Sequence, residues 1–470
     1  MPGTWTPLTN QPPFNVGTML LLTDGTVMCQ DNGTNGTANW WRLTPDSRGD
    51  YIAGTWNSLA AGPNAPLYYA SAVLKDGRVF VAGGEYNGTA DTADLLAAEI
   101  YDPVKDVWIT IGTPSGWTEI GDAPSCVLPD GRLLVGSIEG LKTAIYDPVT
   151  NSWASAGDKG DSSSEETFTL LPDATVLSVQ CSNSPNAEKY IIASDKWVSA
   201  GVTLSLLPQP CPNATAGEIG PALLLPDGRV FAIGASGSTA VYTPPSNPSQ
   251  TGGWTAGPPL VDENGKTLFA MDAPACLLPN GKVLLCASPG PPCDYPKPTI
   301  FLEYDPASNS FTLISGCGNA GEACYTGRML LLPSGQVLFA NMSTDVEVYT
   351  PDGAPQAAWK PQITNAPGNV SANQDYVLQG RQINGLSQAV SYGDDAQMAT
   401  NYPLVCLRNA ASGELVYCRT RDHSTMGVAT GNASHSTRFK VPSGTPAGAS
   451  ELFVIANGIW SDPVSVTVNS

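Results

Sequence analysis

The chain has 470 residues, of which 42% are hydrophobic and only 14% are charged, and its formal net charge is −20. This balance excludes a disordered chain, which combines high charge with low hydrophobicity. The acidic surface makes nucleic acid and anionic membranes unfavourable partners, and no apolar run is long enough to span a membrane as a helix. The 48 glycines and 41 prolines indicate many short strands joined by turns.

Signals for export are mixed along the chain. Residues 1–20 lack the basic segment and apolar stretch of a signal peptide. Eleven cysteines are present, however, and Asn-X-Ser/Thr sequons occur at Asn32, Asn35, Asn87, Asn213, Asn341, Asn369 and Asn432. We therefore expect an extracellular or cell-surface protein in a leaderless or mature form.

A two-strand pattern recurs every 43 to 54 residues through the first three quarters of the chain. Each copy has an apolar run, a Pro-Asp-Gly turn or a relative of it, and a second apolar run. Such a turn accepts positive φ and is a strong signal for a β-hairpin. The residues at the glycine position are Gly25, Gly77, Gly131, Ala174, Gly228, Gly281 and Gly335.

A second hairpin follows in each repeat, with a tyrosine, a turn and an aromatic residue, as from Tyr101 to Trp108. Four strands in roughly 50 residues are typical of a kelch-type propeller blade. The sequence therefore predicts an all-β fold with a seven-bladed kelch-type β-propeller over residues 1–360. Gly3-Thr4-Trp5 matches an outermost blade strand without its hairpin, which predicts an N-terminal strand that closes the ring against the last blade.

The repeat stops after Trp359. Residues 361–470 contain short alternating stretches such as DYVLQGRQ, ELVYCRT and SELFVIAN. About seven such strands predict an immunoglobulin-like β-sandwich as a second domain. Asp394 and Asp395, which follow a glycine within this region, predict a turn.

This organisation resembles that of galactose oxidase and glyoxal oxidase, a family of copper radical oxidases. The segment VEVYTPDGAPQAAWKPQIT is similar to the family's crossing from the last blade to the sandwich. The stretches GLSQAVSYGDDAQMATNYPLV and RTRDHSTMGV are similar to its sandwich domain. The resemblance covers nearly the whole chain and implies the same propeller-plus-sandwich scaffold.

The resemblance also implies a site that can be tested position by position. In the family, two tyrosines and two histidines hold copper, and one tyrosine is cross-linked to a cysteine. The matching positions here are Tyr325 for the axial tyrosine, Thr326 for the first histidine and Tyr68 for the cross-linked tyrosine. Val16 stands at the position of the cross-linked cysteine, so no thioether can form there.

Two further positions complete this comparison. His423, in Arg-Asp-His-Ser-Thr, matches the second histidine, and Tyr86 stands where a family member has a tryptophan over the cross-link. Threonine is a poor ligand for Cu²⁺, which prefers imidazole nitrogen. The other histidine of the chain, His435, lies on a different loop and would have to move in to complete a two-histidine copper site.

We therefore interpret Tyr68, Tyr325, His423 and Tyr86 as residues of a degenerate axial site, with Tyr68, Tyr325 and His423 as its candidate metal ligands. The site is either a weak metal site, a polar ligand pocket or a hydrogen-bonded plug. Glu85 and the pair Glu165-Glu166 leave a glycosidase-type carboxylate pair open. Nucleophile-elbow, phosphate-loop and zinc-site patterns are absent from the sequence.

Four disulfides are predicted because the cysteines of each pair bracket a short local segment or lie on successive loops. The pairs are Cys406–Cys418, Cys317–Cys324, Cys286–Cys293 and Cys181–Cys211. Cys29, Cys126 and Cys276 lie within the apolar runs of the hairpins and are expected to be buried thiols.

The expected function is that of a galactose-oxidase-like protein without an intact copper radical site and without a cofactor. Its propeller face would bind a carbohydrate or another macromolecule such as a protein. The alternative is a copper-dependent oxidase of alcohols or aldehydes with an altered ligand set. A structural scaffold without a small ligand is a third reading.

Overall fold

The computed structural model describes residues 3–91, 94–212, 217–392 and 398–470. Asn213 and the predicted turn at Asp394 and Asp395 lie outside the described residues. Within these ranges the chain forms strands, together with single turns of 3-10 helix at Ile192–Ser194, Pro292–Asp294, Cys324–Thr326 and Ala357–Trp359. None of the helices in this part of the chain is long and apolar enough to cross a membrane.

Six four-stranded antiparallel sheets and one five-stranded sheet, that of blade VI, form the blades I to VII of a β-propeller, which confirms the predicted fold class. The first strands, in blade order, are Val16–Leu21, Ala70–Val73, Ser125–Val127, Thr169–Leu170, Ala222–Leu224, Ala275–Leu277 and Arg328–Leu331. The second strands are Val27–Asp31, Val79–Ala82, Leu133–Gly136, Thr175–Val179, Val230–Ile233, Val283–Ala287 and Val337–Ala340. The third strands are Trp40–Thr44, Ala98–Asp102, Thr143–Asp147, Asn186–Ile191, Thr239–Thr243, Ile300–Asp305 and Glu347–Thr350. The outer strands are Thr55–Ser58, Val107–Thr110, Ser152–Ser155, Lys196–Val202, Gly253–Ala256, Ser310–Ile314 and, in blade VII, Thr4–Pro7.

The first strands of neighbouring blades contact one another around the propeller axis, and their side chains are buried. Each first strand turns into the second through the predicted hairpin, where the glycine position has φ between 65° and 93°. In blade IV this position is Ala174, an alanine in a left-handed conformation that ordinary L-residues avoid. The repeat observed in the sequence is thus the turn at one end of each axial strand.

The N-terminal strand Thr4–Pro7 closes the ring as predicted. It pairs antiparallel with Glu347–Thr350 of blade VII, with Trp5 opposite Tyr349. The ring of Trp5 packs against Phe301 and Tyr349, with centroids 4.7 and 4.9 Å away. Closure by the first strand removes the edge that blade VII would otherwise present.

The repeated tyrosine and tryptophan pack the outer halves of the blades. Tyr101 lies directly opposite Trp108 in blade II, and the tyrosine hydroxyl donates to Asp106 in the intervening turn at 2.7 Å. The Trp108 indole donates across the blade boundary to the carbonyl of Ala60 at 2.9 Å. These aromatic residues therefore hold adjacent blades together, which accounts for their recurrence in the sequence.

The C-terminal part is one curled, sandwich-like sheet. Its strands are Gln362–Asn365, Asn369–Ser371, Asp375–Arg381, Leu404–Asn409, Leu415–Arg421, Ser434–Lys440, Gly448–Ala456, Ile459–Trp460 and Val464–Asn469. One segment leaves this sheet, since Val390–Ser391 pairs with the axial strand Ala275–Leu277 of blade VI. Two further two-stranded ribbons pair loop segments outside the blade strands, Pro66–Leu67 with Tyr86–Asn87 and Gln209–Pro210 with Gly217–Glu218.

The sheet docks on the propeller face formed by the hairpin turns. Arg419 forms an ion pair with Asp24 in the turn of blade I. Met426 donates its backbone N–H to the carbonyl of Pro129 in blade III at 2.9 Å, and the Trp460 indole donates to the carbonyl of Pro333 in blade VII at 2.8 Å. The opposite end of the axis, where the axial strands begin, is left free of these contacts.

The structure corrects the predicted disulfides. Cys211 is bonded to Cys293, and the predicted partners of both are thiols. Cys211 lies on the loop before blade V and Cys293 on a loop of blade VI, so the bond joins neighbouring blades across 82 residues of sequence. Spacing along the chain therefore favoured Cys181 and Cys286 as partners, whereas the propeller brings two distant loops together.

The other two predicted pairs fail for local reasons. Cys406 lies opposite Tyr417 and Cys418 opposite Val405, so the two cysteines face opposite sides of the sheet and cannot bond. Cys324 donates its thiol to the carbonyl of Met271 at 3.3 Å, and Cys317 is a half-buried thiol.

Peptide mapping under non-reducing conditions tests this arrangement. We expect Cys211 and Cys293 to be recovered in one linked peptide pair, and the remaining cysteines to be alkylated once the protein is denatured. Recovery of Cys406 linked to Cys418 would contradict the strand register given above.

Candidate functional site

A cavity of about 370 Å³ opens at the end of the axis opposite the C-terminal sheet. Its lining is composed mainly of tyrosines and carboxylates. The lining residues are Thr34, Asn35, Leu67, Tyr68, Glu85, Tyr86, Asp122, Glu165, Glu218, Asp272, Tyr295, Tyr325 and Tyr392. Five carboxylates and five tyrosines thus face one cavity, and no lysine, arginine or histidine is among these described lining residues.

The repeat itself places most of these side chains. Tyr68, Asp122, Glu165 and Asp272 each lie nine residues before the glycine position of the hairpin in their blade. This position lies two to four residues before the axial strand, so each of these blades places one residue in the same ring around the axis. Glu218 and Tyr325 lie one residue earlier in blades V and VII and face the same cavity.

The backbone at three of these positions is unusual. Tyr68, Glu165 and Asp272 have φ of 54°, 58° and 48°, which lies in the left-handed region. Non-glycine residues reach this region at an energetic cost, and such residues cluster at functional sites. The geometry turns each side chain toward the axis just before the chain enters the buried strand.

The tyrosines form one connected wall. Tyr68 and Tyr86 meet edge to face with ring centroids 6.3 Å apart, and Tyr295 and Tyr325 do so at 4.9 Å. Tyr392, which follows the Val390–Ser391 strand, donates its hydroxyl to the carbonyl of Tyr325 at 2.7 Å. A loop of the C-terminal sheet therefore reaches through the axis and contributes one side chain to the cavity.

A buried arginine supports this wall from behind. The Arg328 guanidinium lies over the Tyr392 ring at 3.9 Å and over the Tyr68 ring at 5.8 Å. It also donates to the carbonyl of Tyr325 at 2.9 Å. These contacts fix the orientation of three tyrosines that face the cavity.

Burial and neighbouring carboxylates raise the pKa of two tyrosines in the cavity, Tyr86 and Tyr295. Burial, together with Glu85 and Asp122, raises the pKa of Tyr86 to about 12. Burial and the charges of Asp272 and Glu218 raise the pKa of Tyr295 well above its ordinary value. Phenolate ligands are therefore unfavourable at these two positions at neutral pH.

Three of the carboxylates form a tighter group. One oxygen each from Glu165, Glu218 and Asp272 lies within 4.8 Å of the others. Tyr295 extends its hydroxyl toward this group, 3.4 Å from Glu218 and 3.5 Å from Asp272. Oxygen donors of this kind suit a hard cation such as Ca²⁺ or Mg²⁺ rather than Cu²⁺.

The structure brings Tyr68, Tyr86 and Tyr325 together, as the resemblance implies, but His423 lies elsewhere. Its backbone N–H donates to the carbonyl of Lys75, at the hairpin-turn end of the axial strand that begins next to Tyr68. The extended chain between Tyr68 and Lys75, five to seven residues long, separates these two ends of the strand by roughly 20 Å. The His423 ring is fully buried, with Nδ1 2.9 Å from the Thr437 hydroxyl, and it stacks on Tyr402.

The two substituted positions are also accounted for. Val16 is fully buried at the start of the axial strand of blade I, and its N–H donates to the carbonyl of Ser343 at 3.0 Å. The hydroxyl of Thr326 donates to the carbonyl of Ala323 at 2.9 Å within the turn of 3-10 helix. His435 lies on the sheet strand Ser434–Lys440, remote from the cavity.

These observations test the fit of copper to the site. Both histidines of the chain lie outside the cavity, and its described lining offers phenols, amides and carboxylates only. The residues present therefore do not match a donor set in which imidazole nitrogen supplies affinity for Cu²⁺. Of the carboxylates that leave a glycosidase-type pair open, Glu85 and Glu165 face the cavity, whereas Glu166 is buried inside blade IV.

Comparison with known proteins supports the fold. No family model matches the chain. Kelch-like protein terF of Aspergillus terreus is 31% identical over 94 residues, which are 18% of this chain and 19% of that protein. A fungal alcohol oxidase of the AA5 family, solved in complex with copper, aligns over 100% of both chains with a TM-score of 0.56 and 15% identity. A streptogramin B lyase covers 75% of this chain and 99% of its own at a TM-score of 0.50 and 12% identity. The chain thus shares the fold of the fungal alcohol oxidase over its whole length.

The burial of His423 makes a prediction about pH. Burial, with the nearby charge of Lys75, lowers the pKa of His423 to about 3 from its ordinary 6.5. Below pH 6.5 His423 is protonated in the unfolded chain but stays neutral in the folded protein. As the pH is lowered, this difference decreases the free energy of unfolding by about 1.4 kcal/mol per pH unit.

Urea unfolding from pH 6.5 to 4.5 measures this slope. We expect His423→Asn to be less stable at pH 6.5 and to have the shallower pH dependence. The matched control His435→Asn changes a half-buried ring whose pKa is also lowered by burial, so it should reduce the slope less than His423→Asn does. Equal slopes for the parent and His423→Asn would contradict a neutral buried imidazole.

Proposed function

We propose that the chain is a non-catalytic protein on the galactose-oxidase-like scaffold, and that its axial cavity binds a carbohydrate. The observation that carries this proposal is the lining of five carboxylates and five tyrosines around one open cavity. Sugar hydroxyls donate to carboxylates, and the C–H faces of a pyranose pack on tyrosine rings. A cavity of about 370 Å³ is in the range of small-molecule sites.

The negative charge of the cavity limits the class of sugar that it can bind. The lining carries carboxylates without a lysine, arginine or histidine among its described residues, so an anionic sugar is repelled. A sugar that carries an ammonium group gains ion pairs with carboxylates and a cation–π contact with tyrosine. The proposed order of affinity is therefore amino sugar, then neutral sugar, then uronic acid.

Calorimetric titration of the full chain with glucosamine oligomers, galactose oligomers and oligogalacturonate tests this order. We expect binding of the amino-sugar oligomer and none of the acidic one. The double variant Glu218→Gln, Asp272→Asn removes two charged acceptors, and it should weaken binding by at least tenfold, since a hydrogen bond to a charged group contributes about 1.5–3 kcal/mol.

Asp227→Asn is the matched control, because Asp227 lies in a hairpin turn at the opposite end of the propeller and bonds Arg229. It should bind like the parent protein. Absence of binding to all three sugar classes, or equal binding by the double variant, would refute the carbohydrate proposal.

The second candidate is a copper oxidase with an altered ligand set. It is favoured by the full-length structural likeness to a copper-bound alcohol oxidase and by the presence of Tyr68 and Tyr325 in the cavity. Against it stand Val16 and Thr326 at the positions of the family's cysteine and histidine, and the remote location of His423.

Peroxide release separates the two candidates. After loading with copper in air, the parent protein is expected to release no peroxide with galactose or small aldehydes. The peptide containing Tyr68 should have its unmodified mass, because no cysteine stands at position 16 to form a thioether. Peroxide release, or a two-hydrogen loss at Tyr68, would establish the oxidase instead.

A further inference from the structure

A second polar cluster lies inside blade IV, behind the cavity wall. Lys159 and Glu166 have fully buried side chains, and that of Glu188 is 6% exposed. The Lys159 amine contacts Glu166 Oε2 directly, and it lies 3.4 Å from Glu188 Oε1. Glu188 is held in place by the backbone N–H of Gly160, which donates to its other oxygen at 2.8 Å.

Apolar rings exclude water from this contact. The Lys159 amine lies 5.3 Å from the centroid of the Phe168 ring and 4.9 Å from that of the Trp197 ring. The neighbouring polar group is Ser178, whose hydroxyl donates to Glu166 Oε2 at 2.5 Å. The amine and the carboxyl are thus held together in a site that is dry and preorganised.

The charges of this cluster do not balance. Two carboxylates share one ammonium group, and each buried ion has lost the hydration that stabilises it in water. Burial raises the pKa of Glu166 to about 7, against the opposing effects of Lys159 and Ser178. The second oxygen of Glu166, Oε1, has no hydrogen-bond partner among the described residues, which is costly for a buried carboxylate.

We propose that Lys159 and Glu166 are joined by a spontaneously formed intramolecular amide bond. Proton transfer within the pair gives a neutral amine and a neutral carboxylic acid. The Lys159 nitrogen attacks the Glu166 carbonyl carbon, and Glu188 accepts the amine proton and returns it to the departing hydroxyl group. One C–N bond forms, one C–O bond breaks and one water leaves, with no change of oxidation state and no co-reactant.

The amide removes the charges of Lys159 and Glu166 and the unpartnered oxygen of Glu166, while Glu188 keeps its charge and the hydrogen bond from Gly160. It eliminates the buried ammonium and one carboxylate, and it retains a single oxygen, which Ser178 satisfies. The bond also closes a ring over residues 159–166, which includes Glu165 with its left-handed backbone. The modification therefore fixes a loop that contributes a carboxylate to the axial cavity.

Tryptic peptide mass analysis of the reduced and alkylated parent protein tests the bond. Lys159 is the one trypsin site between Lys142 and Lys189. We expect a single uncleaved peptide, residues 143–189, that is one water lighter than its sequence. Cleavage after Lys159, with both products at their unmodified masses, would overturn the proposal.

Variants show whether the mass loss requires the two glutamates. Glu166→Leu should abolish the loss, and Glu188→Gln should lower the cross-linked fraction because the proton acceptor is removed. Lys189→Met is the matched control, because Lys189 is also buried in blade IV but donates to the carbonyl of Gln250. It should retain the full loss of one water within its longer tryptic peptide. If Lys159 is unmodified in this control, the mass loss of the parent protein does not arise from the Lys159–Glu166 pair alone, and the proposal is contradicted.

Discussion

Convergence of the seven axial strands on one axis is the constraint on which the rest of the molecule depends. The axial strands start side by side, so residues that precede them lie in one ring around the axis. The hairpin turns that follow these strands lie together at the opposite face of the propeller. One end of the axis therefore becomes a cavity and the other a docking surface. Tyr68 and Lys75, at the two ends of one strand, belong to different environments for this reason.

The chemistry at the ring follows from which side chains occupy it. Asp122, Glu165 and Asp272 stand at the same repeat position as Tyr68, so carboxylates line most of the axis. Burial and the charges of neighbouring carboxylates raise the pKa of Tyr86 and Tyr295, and the carboxylates favour a ligand that donates hydrogen bonds or carries positive charge. The Cys211–Cys293 disulfide joins loops next to Glu218 and Tyr295, so covalent constraint is concentrated where the cavity needs defined geometry.

The sequence predicted features that depend on local periodicity and missed those that depend on distant contacts. The blades, the hairpin turns and the closing strand around Trp5 all follow from short patterns. The sequence motif around His423 predicts a place in the axial site, but the docking of the C-terminal sheet on the propeller decides where this loop lies. Tyr392 was missed for the same reason. Asp122 and Asp272 lie at the same distance before the hairpin glycines of their blades, so an alignment of the seven repeats identifies this position from sequence alone.

A fold shared with a copper-bound alcohol oxidase here surrounds a cavity whose described lining has no imidazole. Titration of the metal-free protein with Cu²⁺, followed by electron paramagnetic resonance, tests this claim most directly. We predict no stoichiometric tight site and, for any weakly bound copper in the cavity, a spectrum of oxygen ligation without imidazole nitrogen coupling. A one-to-one site with nitrogen hyperfine structure that disappears in His423→Asn would contradict the account.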